Sequence, residues 1–308
     1  MEGNQKLLVV IQPEEQEQPA LSRAIELSKK SGASITVILC AYHTSYDLSA
    51  ILSASERDSV RDSMLKKQKQ WLEGIVAQHP YEMPIRQEVK WHKDTYEAVI
   101  LYAMEKDYHV IVKATREHDT FKSLIITPTD WHLVRKSPIP VLMVKEHAWP
   151  EHGNIICALN VAPDDENYRK LNISLIQISL DLAKALRAKV HLVNGYPGTP
   201  INIAVELPDF DVHAYNEAIK IQHENRVMDL ANKYNIPSDQ CHVMEGLPED
   251  VISSCAKTLD AELVVLGTTG RTGISAALIG NTAEHVIDGL TCDLLVIKAE
   301  NYVSPLAE

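Results

Sequence analysis

The sequence predicts an α/β protein written twice: two domains, each a five-stranded parallel sheet with helices on both faces. Three observations predict it. Continuous apolar runs alternate with amphipathic stretches along the chain, the pattern of strands covered on both faces and separated by helices. The alternation then repeats within 308 residues, a length that suits two hydrophobic cores better than one. In the later part of each half the two copies align without a gap at an offset of 153 residues.

The elements follow in order. Lys6–Ile11 opens the first half and Asn154–Leu159 the second, each an apolar strand. Amphipathic helices are predicted next, over about 19–31 and 169–187, and then second strands at Ile35–Leu39 and Val190–Val193. Long polar-amphipathic segments at 55–79 and 211–234 read as helices. At the offset of 153, Val110–Thr115 matches Leu263–Thr268 and Ile139–Lys145 matches Cys292–Lys298. His132 and His285 also coincide, which predicts equivalent helices turned toward a neighbouring element. The domains are therefore expected at residues 1–148 and 153–308, with the linker around His147–Gly153. Alternating strands and helices imply a parallel sheet with right-handed crossovers in each half, and the two copies suggest a pseudo-dimer within one chain.

Composition narrows the function. With 45% hydrophobic and 23% charged residues the chain is that of a globular protein, and no apolar run approaches the length of a membrane span. Cys40, Cys157, Cys241, Cys255 and Cys292 are odd in number and unclustered, so they read as reduced core residues. Residues 1–5 lack the regions of a signal peptide, and a cytoplasmic protein is expected. Residues 1–152 hold 19 Lys and Arg against 21 Asp and Glu, whereas residues 153–308 hold 11 against 21. Such an acidic second half repels phosphate backbones, which argues against direct nucleic-acid binding. The 13 histidines form neither HExxH nor a Cys-partnered pair, so no metal site is expected.

The most informative stretch follows the strand at 263–266. Gly267 and Gly270 are separated by two residues, Gly270 and Gly280 by nine, and Asn281 and Thr282 come next. Glycines after a strand let a ligand approach the backbone, and consecutive N–H groups beside a helix N-terminus can cradle phosphates. Arg271 lies between loop glycines, placed either to neutralise a phosphate or to face solvent. The plain alternative is a tight strand-to-helix turn with Asn281 as N-cap. The first half lacks this device: Ala114, Glu117 and Thr127 stand where the second has Gly267, Gly270 and Gly280. The only glycines there are Gly3, Gly32 and Gly74, so the first half is not expected to bind a nucleotide in this way.

The spacing G-x2-G-x9-G followed by a hydroxyl-bearing stretch, in a duplicated five-stranded domain, resembles the universal stress proteins, in particular their tandem members. The resemblance implies a Rossmann-like fold of the adenine nucleotide alpha hydrolase type and a cytoplasmic stress-response protein. It implies ATP or a related nucleotide as ligand, with Gly267, Gly270, Gly280, Asn281 and Thr282 along the phosphates and Leu266 beside the base. Asn160 falls where ATP-binding members carry aspartate; it lacks the carboxylate but can still donate to and accept from a ribose or adenine edge. Asn281 departs from the usual Ser or Thr, and Gln12 occupies the Asn160 position of the first half.

Other readings stay open. Gly273-Ile274-Ser275-Ala276-Ala277 approaches a nucleophile elbow but lacks its last glycine and the preceding strand. Asp164 and Asp165 follow the first strand of the second half, either near a metal or, more plainly, at a helix start. Apolar residues such as Tyr46, Leu48, Ile51 and Leu52, with Ile201, Ile203, Val205, Leu207 and Phe210, sit in connecting segments. They either cap the core or line a cavity for a small amphipathic ligand. The strands at 139–145 and 292–298 are a third possibility, as pairing edges of an interaction protein or homodimer.

Overall fold

A computed structural model of the chain describes all residues except 1–4, 14, 43–52, 118–123, 126, 146–147, 163, 200–210, 269–284, 288 and 308. The chain divides into two compact units: Met1–Glu146 with Val303–Glu308, and His147–Tyr302.

The first unit runs β1 (Lys6–Val10), α1 (Pro19–Ser31), β2 (Ser34–Ala41), α2 (Ala54–Ala77), β3 (Arg86–Trp91), α3 (Thr95–Glu105) and β4 (Val110–Ala114). A short antiparallel pair follows, β5 (Arg116–Glu117) and β6 (Leu124–Ile125), then α4 (Pro128–Lys136) and β7 (Val141–Val144). The second unit runs β8 (Asn154–Ala158), α5 (Glu166–Leu186), β9 (Lys189–Tyr196), α6 (Val212–Tyr234), β10 (Cys241–Glu245), α7 (Pro248–Thr258), β11 (Leu263–Thr268) and β12 (Asp293–Lys298). The five main strands are parallel in each unit, in the orders β7-β4-β1-β2-β3 and β12-β11-β8-β9-β10. In both, the first strand lies between the second and the fourth, so the chain leaves it to one side and returns on the other.

The central strands are apolar because both faces are covered: β1, β4, β7, β8, β11 and β12 are almost wholly buried. Helix starts carry their own signals. Ser53 with Glu56 and Thr127 with Asp130 form capping boxes before α2 and α4, and Pro19 and Pro128 open α1 and α4. Gly32 ends α1 at φ 73°, a left-handed conformation that glycine adopts without a Cβ clash. The five cysteines are free, with Cys157, Cys255 and Cys292 buried; burial pushes the thiols of Cys40 and Cys157 up to about 12. Among the described residues no helix is long and apolar enough to cross a membrane.

One expectation needs correcting. His132 faces a neighbour as foreseen, its ring 4.3 Å from that of Tyr96. His285, its repeat partner, is helical but exposed, and among the described residues it meets no ring as His132 does.

Candidate functional site

The strand order reverses around β8, so the C-terminal ends of β8 and β11 stand at the position where open α/β sheets take ligands. Asn160 and Gly267 both reach this edge, since Ala158 and Leu266 are register partners. Asn160 is exposed, but its backbone is fixed: the buried Asn172 of α5 accepts from its N–H at 3.3 Å and donates Nδ2 to its carbonyl at 2.9 Å. The Asn160 side chain turns into its own loop, where Oδ1 accepts the N–H of Ala162 at 3.3 Å.

The rest of this loop is held as firmly. Nδ2 of Asn194 donates to the Leu159 carbonyl at 2.9 Å, and Nδ1 of His223 lies 2.7 Å from Asn194 Oδ1. With its amide nitrogen already donating, Asn194 offers only an acceptor there, so His223 carries its proton on Nδ1. Burial, then Arg226, lowers the His223 pKa and favours that neutral ring. Nη1 of Arg226 donates to the carbonyls of Val161 and Ala162 at 2.5 and 2.9 Å. Side chains from β9, α5 and α6 thus set residues 159–162 before any ligand arrives, and such preorganisation removes an ordering cost from binding.

A cavity of about 350 Å³ adjoins this loop, between α5 and α6, bordered by Asn160, Asp164, Arg169, Asn172, Arg226, Asp229 and Lys233 together with Val161, Ile173 and Leu230. The acidic pair after β8 has partners of its own. Asp165 caps α5 by accepting from Asn167 N–H at 2.7 Å, and Asp164 faces Arg169 at 3.3 Å. Among the described residues no group of three or more His, Cys, Asp or Glu side chains is placed to hold a metal ion.

Leu266 is buried within β11, paired with Ala158 and Val296. Gly267 is a strand residue paired with Ile297, and its missing Cβ is a packing requirement: a Cβ there would meet Leu171 Cδ2 at 2.8 Å and Leu175 Cδ1 at 3.0 Å. Gly270, Arg271, Gly280, Asn281 and Thr282 lie outside the described residues, as do Ser275 and the apolar segments 43–52 and 200–210.

Two residues at this edge escaped the sequence reading. Thr268 ends β11 only 5% exposed, and its hydroxyl finds no hydrogen-bond partner among the described residues. Lys298 ends β12 as its register partner, 8% exposed, with Nζ 4.9 Å from the ring centre of Tyr302. Burial pushes the Lys298 pKa down to about 8. The signal was present in the repeat, which aligns Lys298 with Lys145. A lysine at a strand end, however, reads as exposed unless something marks it as buried.

The equivalent edge of the first unit is filled from within. Gln18 clamps the Gln12 backbone, with Gln12 N–H donating to Oε1 at 3.0 Å and Nε2 donating to the Gln12 carbonyl at 2.8 Å, the same device as Asn172 and Asn160. Gln12 is buried and extends Nε2 to within 3.3 Å of the Ala114 carbonyl, bridging β1 to β4. Lys113 meets Asp130 nearby at 2.6 Å. Arg116–Glu117 continue as β5, paired with β6.

The sequence matches the universal stress protein family over residues 3–145 and 172–298. It is 44% identical to universal stress protein E of Escherichia coli K12 over 307 residues, covering 98% of this chain and 96% of the relative. A universal stress protein E homolog of Haemophilus influenzae is 40% identical over 298 residues, 95% of this chain and 96% of that protein. The crystal structure of a putative universal stress protein from Pseudomonas aeruginosa UCBPP-PA14 superposes with a TM-score of 0.72 at 27% identity, covering 96% of this chain and 94% of that one. A universal stress protein from Archaeoglobus fulgidus shares the fold at a TM-score of 0.61 and 15% identity, covering 95% of this chain and 98% of that one.

Proposed function

The chain belongs to the universal stress protein family, and from that premise we propose that its second unit binds ATP or a related nucleotide across the C-terminal ends of β8 and β11. In this reading the phosphates lie along Gly267, Gly270, Arg271, Gly280, Asn281 and Thr282, with Leu266 beside the base and Asn160 at the ribose or adenine edge. The observation that carries it is the difference between these edges in the two units. In the first unit Gln12 reaches across to Ala114, and Lys113 and Asp130 neutralise each other beside it. In the second unit Gly267 replaces Ala114, the Asn160 side chain bonds within its own loop, and the loop backbone is fixed by Asn172 and Arg226.

The act proposed is binding that sets a conformation for partners to recognise, not efficient turnover. Asp165 serves as the α5 cap and Asp164 faces Arg169, while Asn160 has no carboxylate with which to activate a water. The test is mass spectrometry of the small molecules released on denaturing the purified protein, followed by calorimetric titration of the emptied protein with ATP. Saturable ATP binding that disappears in Gly270→Glu is the expected result. Absence of binding to the wild type, or equal binding to both proteins, would refute the reading.

A further inference from the structure

We infer that Lys298 and Thr268 form a phosphate-holding floor at the C-terminal ends of β11 and β12, which takes the anionic group of the ligand bound by the second unit. The two are register partners on adjacent parallel strands, so their side chains leave the same face of the sheet. That face is opposite the one where Leu171 and Leu175 of α5 close on Gly267. Both residues are more than nine-tenths buried, and each is incomplete. The Thr268 hydroxyl has no partner among the described residues. The Lys298 ammonium has an aromatic ring beside it but no carboxylate among the described residues, and nothing offsets the desolvation that lowers its pKa.

A buried cation without a counter-charge is costly, and proteins normally pair it. The first unit does so: Lys113 is also buried at the end of a strand, and Asp130 lies 2.6 Å from its ammonium. In the repeat register Asp130 corresponds to Ala283 and Lys113 to Leu266. The second unit has therefore lost that ion pair, while Lys298 and Thr268 keep the buried places of Lys145 and Thr115; the Thr115 hydroxyl donates to the Val144 carbonyl at 3.2 Å, whereas that of Thr268 has no partner among the described residues. A cation and a hydroxyl donor with no acceptor among the described residues are complementary to an anion. A phosphate oxygen satisfies both, because it accepts from an ammonium and from a hydroxyl at once. The ligand's nucleoside part rests on the nucleotide reading above; its negative charge does not.

The experiment is calorimetric titration of the full chain with ATP, adenosine and inorganic tripolyphosphate, for the wild type, Lys298→Met and Thr268→Val. Methionine keeps the volume and removes a buried charge, so Lys298→Met is expected to fold at least as stably as the wild type. The expected result is a loss of about 10- to 100-fold in affinity for both ATP and tripolyphosphate in Lys298→Met, from the usual strength of hydrogen bonds to charged groups. Thr268→Val loses less, and adenosine binding is unchanged in both variants. Carbon NMR of the Lys298 side chain, assigned by its absence in Lys298→Met, is expected to show its titration move upward on adding tripolyphosphate. ATP binding that is equal in wild type and Lys298→Met overturns the inference and leaves the nucleotide reading standing. Tripolyphosphate binding that depends on Lys298, in a protein that ignores ATP, does the reverse. A wild type that binds neither anion overturns the inference.

Discussion

Nζ of Lys113 lies 2.6 Å from Oδ1 of Asp130, with the two side chains 7% and 0% exposed. Oδ1 is met as an ion-pair contact rather than along a hydrogen-bond direction, while Oδ2 accepts the Thr127 N–H at 2.8 Å and Lys113 also donates to the Ala114 carbonyl at 3.0 Å. The pair thus ties the end of β4 to the start of α4. Removing one member of such a pair strands the other charge in the core, whereas removing both can be nearly neutral. Lys113→Met is expected to cost about 3–5 kcal/mol. Lys113→Leu combined with Asp130→Ala, which installs the second half's own residues, is expected to recover most of that loss. Only the capping contribution of Asp130, about 1 kcal/mol, stays missing. Urea unfolding of the three proteins decides it; a double variant as unstable as Lys113→Met would contradict the reading.

Gly267 makes a separate prediction about packing. A methyl group at this position would come within 2.8 Å of Leu171 Cδ2 and 2.9 Å of Leu171 Cγ, so α5 must retreat from β11 to admit it. Gly267→Ala is expected to cost about 1–3 kcal/mol, the usual range for overpacking. Shortening the opposing side chain should relieve the clash. Gly267→Ala with Leu171→Ala is then expected to be more stable than the sum of the single effects by about 1 kcal/mol. Additivity of the two changes in chemical denaturation would mean that the two side chains do not share this space.

The second unit also predicts a dependence on pH. Nδ1 of His191 lies 3.0 Å from Nε2 of His242, and Nε2 of His191 lies 3.0 Å from Asn154 Oδ1. Asn154 gives its Nδ2 proton to the Leu259 carbonyl at 2.8 Å, so its oxygen must accept from His191. His191 is then protonated on Nε2, and His242 donates to its Nδ1. A proton added to Nδ1 of His191 would set two donors against each other. Burial lowers both pKa values from 6.5; His242 and Lys189 lower His191 further, and Asp239 opposes the shift at each ring. Folded pKa values below the unfolded ones mean that the unfolded chain binds more protons. The stabilisation is therefore complete above about pH 6.5 and is lost as the pH falls from there through the folded values. Changing both residues to glutamine is expected to flatten the urea midpoint between about pH 7.5 and pH 5.5, with His132 and His223, also lowered by burial, keeping part of the slope. An unchanged slope would exclude the pair as a source.

The same physics explains what could be read from the chain and what could not. The strands were legible because sheets covered on both faces demand unbroken apolar runs, as in Leu7–Val10 and Leu294–Ile297. The repeat was legible because two copies of one fold keep that pattern. Gly267 was legible as special but not as packed: a glycine that admits a ligand and one that admits Leu171 have the same letter. The Asn160–Asn172 clamp spans 12 residues from loop to helix, a separation with no periodic signature. Lys298 was hidden for a different reason, since its burial arises from tertiary surroundings and not from its own segment.

Asn160 carries the last prediction. Where the resemblance implies aspartate in nucleotide-binding members, this chain has an amide whose oxygen accepts the Ala162 N–H. The substitution Asn160→Asp would keep that acceptor, because a carboxylate supplies two oxygens where the amide supplies one, and the clamp from Asn172 engages only the backbone. Folding stability is therefore expected to stay within about 0.5 kcal/mol of the wild type. The second oxygen of the new carboxylate is then available to ribose hydroxyls and to the adenine amino group as a charged acceptor. Under the nucleotide reading the affinity for ATP and for adenosine is expected to rise by the same factor, about tenfold, since the new contact touches the nucleoside and not the phosphates. Affinity for tripolyphosphate is expected to fall slightly from the added negative charge. If calorimetry instead shows ATP weakened and adenosine unchanged, the residue at 160 faces the phosphates, and the ligand lies the other way round across β8 and β11.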